Sequence, residues 1–82
     1  MTHSELTKTQ ALVYRYLKEN SGRPVSRDEL AERIWRQPYS PFSRTIDQSV
    51  AQVRKKLPTR KEQIIAVPSI GYRLEKTPSR RD

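Results

Sequence analysis

The stretch Ser43-Arg44-Thr45-Ile46-Asp47-Gln48-Ser49-Val50-Ala51-Gln52-Val53-Arg54-Lys55-Lys56-Leu57 decides the fold. Ile46, Val50, Val53 and Leu57 recur at i, i+4, i+7 and i+11, one apolar stripe of an α-helix. At about 100° per residue, Arg44, Gln48, Ala51, Gln52 and Lys55 fall on the opposite side, with Thr45 close by. One face docks on a core and the other displays cations, amides and a small alanine. A helix built only for solubility would more often alternate Glu and Lys there. The single acid, Asp47, sits near the N-terminus, where the helix dipole favours it. Gln pairs bidentately with adenine in the major groove, and Arg and Lys suit phosphates or guanine. The stretch reads as a helix for the DNA major groove.

The rest of the chain gives that helix its setting. Eighty-two residues make one small domain. A chain of this size buries only about 60–65% of its unfolded surface, so its core must be compact. The absence of cysteine excludes disulfides and thiolate metal sites. The lone histidine, His3, reads as a solvated tail residue, and no metal or cofactor is expected. The net charge of +8 implies a polyanionic partner, either nucleic acid or an acidic membrane surface. It is unevenly spread: residues 54–61 hold five cations and no acid, and residues 28–32 hold three acids. No apolar run approaches the roughly eighteen residues of a membrane span, and no signal peptide is visible. A soluble, cytoplasmic protein is expected.

Upstream, residues 1–5 are a short lead-in. Thr7 and Gln10 form a capping box, with Leu6 and Ala11 as its hydrophobic staple. The helix they open runs to about Asn20, turns Ala11, Val13, Tyr14 and Leu17 inward, and stops at Ser21-Gly22. Pro24 keeps its predecessor extended, and Val25 is placed to add a short strand. Ser26 and Glu29 form a second capping box, opening a helix to Trp35 or Arg36 that buries Leu30, Ala31, Ile34 and Trp35. Pro38 and Pro41 then forbid helix. The loop from Gln37 to Phe42 leads to Ser43, the expected cap of the next helix. Phe42 is expected on the core; Tyr39 fits equally well on the core or against a protein partner.

Downstream, Pro58 ends the helix. Gln63 to Val67 reads as a strand, Pro68-Ser69-Ile70-Gly71 as a turn with Pro68 in second position, and Tyr72-Arg73-Leu74 as the returning strand. Tyr72 and Leu74 share one face and Arg73 takes the other. Residues 76–82 read as a disordered basic tail. The expected architecture is α+β: a winged helix-turn-helix, three helices followed by a C-terminal β-hairpin wing, over residues 6–75.

Leu6-Thr7, Asn20 with Gly22, Val25-Ser26-Arg27 with Leu30 and Trp35, Ser43-Arg44-Thr45-Ile46-Asp47, Val53-Arg54-Lys55-Lys56-Leu57 and Gly71-Tyr72-Arg73-Leu74 resemble the OmpR/PhoB-type effector domain of bacterial response regulators. The resemblance covers roughly residues 6 to 75. It implies sequence-specific binding to double-stranded DNA, commonly by a second protomer on repeated half-sites, and a loop that touches RNA polymerase. By position, Arg44, Thr45, Arg54 and Lys55 would hold phosphates, and Gln48, Ser49 and Gln52 would face base edges. Arg73 joins the DNA-binding set, and Gln37, Tyr39 and Phe42 form the protein-interaction loop. An ion pair with Asp47 is the rival role for Arg54.

Three departures from the family pattern matter. No receiver domain and no short four-stranded sheet precede the effector in this sequence, which suits either an excised domain or a stand-alone regulator. The wing tip reads Pro68-Ser69-Ile70-Gly71 where the family usually has an Arg-Gly pair before the second Gly, so Ser69 and Ile70 are presented instead. Gln52 stands where basic side chains are frequent, which changes base preference. The competing function is a winged-helix interaction module that binds RNA polymerase or another regulator with little DNA binding. An enzyme is not expected: the folded part has no phosphate-cradling Gly loop, no metal cluster and no His beside an acid or a Ser.

Overall fold

Thr7 starts the first helix in the way its spacing to Gln10 predicts. In the computed structural model, which describes residues 6–40, 44–57 and 61–76, the Thr7 hydroxyl accepts from the Gln10 backbone N–H at 3.2 Å. The Gln10 side chain accepts in turn from the Thr7 N–H at 3.1 Å. Helix α1 (Lys8–Glu19) buries Val13 and Leu17 completely, with Tyr14 half-buried. Ala11, expected inside, is exposed. It precedes Val13 by two positions, about 200° round the helix, and so cannot share its face. Gly22 turns the chain with φ 85, and its N–H donates to the Leu74 carbonyl at 2.9 Å.

Val25 and Ser26 form strand β1. The Ser26 hydroxyl accepts from the Glu29 N–H at 3.0 Å and opens helix α2 (Arg27–Leu30). Only this half of the expected capping box shows, because the Glu29 carboxylate is taken by Arg23, at 2.8 Å, and by the Tyr16 hydroxyl. The helix does not continue as α to Trp35. It widens into a π-helical turn, Ala31–Trp35, closed by Arg36 in the left-handed region at φ 58. The chain must leave the helix before Pro38, and the Gln37 N–H reaches back to the Ala31 carbonyl at 3.2 Å, which satisfies an end carbonyl. Leu30 and Ala31 are buried, whereas Ile34 and Trp35 are half-buried at the core margin.

Helix α3 (Thr45–Lys55) buries Ile46, Val50 and Val53, as its stripe predicts. It is shorter than the expected 43–57. Arg44 is the capping residue, without a side-chain cap bond; Ser43 lies outside the described residues. Tyr39 packs half-buried against the core, beside a hollow lined by Ala31, Trp35, Pro38, Thr45 and Ile46. Phe42 lies outside the described residues.

Strands β2 (Glu62–Val67) and β3 (Gly71–Lys76) pair antiparallel with Ile64 opposite Leu74. Lys76 therefore belongs to the sheet and not to a tail. Strand β1 pairs with the other edge of β3, giving the order β1-β3-β2, so the expected hairpin is part of a three-stranded sheet. In the turn the Ile70 N–H donates to the Val67 carbonyl at 3.0 Å. Pro68 takes the second place, and Ser69, at φ 65, the third, a position that usually asks for glycine. Leu17, Leu30, Val50, Val53 and Leu74 are fully buried where the helices meet the sheet.

Candidate nucleic-acid interface

The outward side of α3 carries the side chains its periodicity assigns there. Arg44, Thr45, Gln48, Ala51, Gln52, Arg54 and Lys55 are exposed, and Ser49 is half-buried. Burying Ile46, Val50 and Val53 leaves the opposite strip in solvent. Amides alternate with cations along it, and no acid lies within it.

Each flank of α3 is anchored to a different element. On the sheet side, the Arg54 Nε donates to the Ile64 carbonyl at 3.0 Å, and the Tyr72 hydroxyl donates to Asp47. On the other side, the Lys56 Nζ donates to the Gln10 side chain of α1 at 3.2 Å. The rival pairing of Asp47 with Arg54 does not form. Seven residues are about 10 Å of helical rise, too far for the two side chains to meet. The partner of Asp47 is Arg27, from the first turn of α2, whose Nε donates to the carboxylate at 2.9 Å. The Tyr72 hydrogen bond, with the Arg27 guanidinium beside it, holds the Asp47 carboxyl below the usual carboxylate range despite partial burial. Burial, and then the Asp47 charge, push the Tyr72 hydroxyl up.

Other polar contacts brace this frame. Glu62, at the start of β2, accepts from the Tyr14 hydroxyl and pairs with Lys18 at 3.4 Å. These contacts fix α1 against the strand that follows α3. At the wing, the Ile70 carbonyl accepts from the Arg27 N–H at 3.2 Å, and the Ile70 side chain is 45% exposed.

One residue of the expected DNA-binding set, Arg73, is not drawn onto α3. Arg73 is half-buried on the face of β3 opposite Tyr72 and Leu74, ion-paired with Glu75. Its position therefore separates it from the α3 strip. Of the interaction loop, Gln37 is exposed and Tyr39 is packed. Sequence reading missed the contacts that Arg27 and Tyr72 make with α3. Periodicity locates faces within one element, and this junction joins three.

The profile of the family described as "Transcriptional regulatory protein, C terminal" matches residues 2–74. The chain belongs to this family. Among relatives, the transcriptional regulatory protein VxrB of Vibrio cholerae is 36% identical over 70 residues, 85% of this chain and 28% of VxrB. The transcriptional regulatory protein CpxR of Escherichia coli is 36% identical over 58 residues, 71% of this chain and 25% of CpxR. The chain thus spans between a quarter and a third of the length of these relatives. The DNA-binding domain of E. coli CpxR superposes with a TM-score of 0.79 at 29% identity, covering 88% of this chain and 74% of that one. The Klebsiella pneumoniae RstA DNA-binding domain, solved in complex with the RstA box, gives 0.78 at 23% identity over 87% of this chain and 73% of that one. The second likeness bears on the fold, and it places the chain among winged helices with a three-stranded sheet. Family members of this kind are bacterial regulators, so the α3 strip sits on a scaffold that relatives carry as a regulatory C-terminal domain.

Proposed function

We propose that this chain is the sequence-reading, double-stranded-DNA-binding module of a bacterial transcription regulator. Helix α3 enters the major groove and the β2–β3 hairpin serves as the wing. The observation that carries the reading is the exposed, acid-free strip of cations and amides on α3, on a scaffold shared with transcription regulators. The binding unit is the expected 6–75 extended by Lys76, the last residue of β3; it acts in the cytoplasm, and its role is binding rather than catalysis.

In this reading Arg44, Thr45, Arg54 and Lys55 hold phosphates and set the register. Gln48, Ser49 and Gln52 face base edges, where each good bidentate pair contributes about 1–3 kcal/mol of discrimination. Arg73, paired with Glu75, is a minor contributor. If about six cations neutralise phosphates, affinity falls roughly a thousandfold between 50 and 200 mM salt. One protomer of this size binds a single half-site weakly, and a second protomer on a repeated half-site supplies the remaining affinity. Contact with RNA polymerase falls to the loop around Gln37.

A salt titration on random duplex, followed by site selection from a random pool, tests the proposal. Arg44→Ala with Lys55→Ala should flatten the salt slope by about two. Gln48→Ala with Gln52→Ala should keep the slope and lose the selected motif. Flat salt dependence with no enriched motif would overturn the reading.

A further inference from the structure

Arg27, Asp47 and Tyr72 come from three elements and meet at one point. Arg27 opens α2, Asp47 lies in the first turn of α3, and Tyr72 is the second residue of β3. The Arg27 Nε donates to Asp47 Oδ1 at 2.9 Å, and the Tyr72 hydroxyl donates to the same oxygen. The Arg27 Nη2 lies 3.4 Å from the Tyr72 hydroxyl, and its guanidinium sits 5.0 Å from the centre of the Tyr72 ring. The backbone repeats the connection, since the Arg27 N–H donates to the Ile70 carbonyl in the wing turn. Arg27 thus touches the first turn of the recognition helix and the base of the wing at once.

We infer that Arg27, Asp47 and Tyr72 are positioning residues that fix the angle between the recognition helix and the wing, and that this angle sets how well the protein discriminates between base sequences. The inference rests on the DNA-binding reading above.

The physical reason is leverage. Gln52 lies five residues beyond Asp47 on α3, about 7.5 Å along the axis, so a tilt of about 5° at Asp47 displaces this base-facing residue by about 0.7 Å. Base-edge hydrogen bonds tolerate only a few tenths of an ångström around 2.9 Å, and a bidentate amide contact must satisfy two of them together. Phosphate contacts from long, flexible Arg and Lys side chains absorb such a shift. Loosening the junction should therefore weaken binding to the preferred site and spare binding to random sequence. An isolated Asp47 carboxylate on a DNA-facing helix would repel phosphates. Its charge is opposed by Arg27, and one of its oxygens is occupied by two donors.

The test uses the intact chain and the site that wild type selects from a random pool. Affinity for that site and for random duplex is measured for Tyr72→Phe, Arg27→Lys and Asp47→Asn, with thermal melting and circular dichroism to establish folding. Affinity for the selected site should fall about tenfold, one base contact's worth of discrimination. Affinity for random duplex and the salt slope should stay within about twofold of wild type. Arg27→Lys keeps the charge, so it should restore binding if Arg27 merely held a phosphate; the inference expects no rescue. If Tyr72→Phe fails to fold, Arg27→Lys and Asp47→Asn carry the same comparison. Equal losses on both DNAs, or no loss on either, would overturn the inference. So would an Asp47→Asn change confined to one base position, which would make Asp47 itself a base reader. A wild type that selects no motif would instead sink the DNA reading from which this inference starts.

Discussion

Gly71 lies directly beside Val25: a Cβ built on Gly71 would meet the Val25 carbonyl oxygen at 2.1 Å and the Ser26 Cα at 3.0 Å. The obstacle is backbone of the paired strand β1, which cannot swing aside as a flexible side chain would. Ser26 is both the register partner of Gly71 and the cap of α2, so moving it disturbs the helix that leads to α3. Gly71→Ala should cost about 3 kcal/mol, the upper part of the range for forced overpacking. Urea denaturation would show it as a lower midpoint. An unchanged midpoint would mean that β1 does not hold this register.

Arg36 ends the π-helical turn at φ 58, where a residue with a Cβ is held against its preference. Glycine is the usual occupant of this terminating position. Arg36→Gly should stabilise the fold by about 1 kcal/mol, the left-handed penalty less the extra chain entropy of glycine. The denaturation midpoint should rise with no change in slope. A fall in stability would show that the Arg36 side chain contributes more than its backbone costs.

These two positions mark where the sequence was legible and where it was not. Thr7 with Gln10, and Ile46 with Val50 and Val53, are local patterns, and the structure follows them closely. Val25 was visible as a possible strand, but its partner, Tyr72, lies far along the chain, so sheet order could not be read. The π turn was hidden because Ala31 to Trp35 has ordinary helical spacing; the distortion comes from the exit before Pro38. Glu29 looked like a reciprocal cap until Arg23 and Tyr16 claimed it. The exposed strip of α3 was legible as a face, whereas Arg27 and Tyr72 gain their roles only through contacts between elements.

Asp47 gives the fold an acid-sensitive contact. Its carboxyl is held below the usual range by the Tyr72 hydrogen bond and by Arg27. A depressed folded value contributes stability above the unfolded pKa of about 3.9, and that contribution is lost as pH falls through the folded value. Because the side chain is 44% exposed, solvent screening limits the contribution to about 1 kcal/mol. Asp47→Asn should therefore be less stable than wild type at neutral pH, with the gap closing on acidification. Thermal melting across pH 7 to pH 2.5 would check this, and a gap that is constant with pH would remove Asp47 ionisation from the account.

Arg54 and Lys55 are adjacent, exposed and both proposed to hold phosphates, yet they differ in what else they do. The Arg54 Nε donates to the Ile64 carbonyl, tying the end of α3 to β2; no comparable bond to another element ties Lys55 among the described residues. Arg54→Ala should cost about 1 kcal/mol of stability for the lost hydrogen bond. Lys55→Ala should leave stability within about 0.5 kcal/mol, as befits a surface substitution away from special features. Both should flatten the salt slope by about 0.9, one phosphate each. Arg54→Lys separates the two roles, since lysine keeps the charge but lacks Nε. It should retain the salt slope and lose the tether to Ile64. If Arg54→Ala lowers stability but leaves the slope untouched, Arg54 is a structural tether alone, and the phosphate contact on that flank must come from another residue.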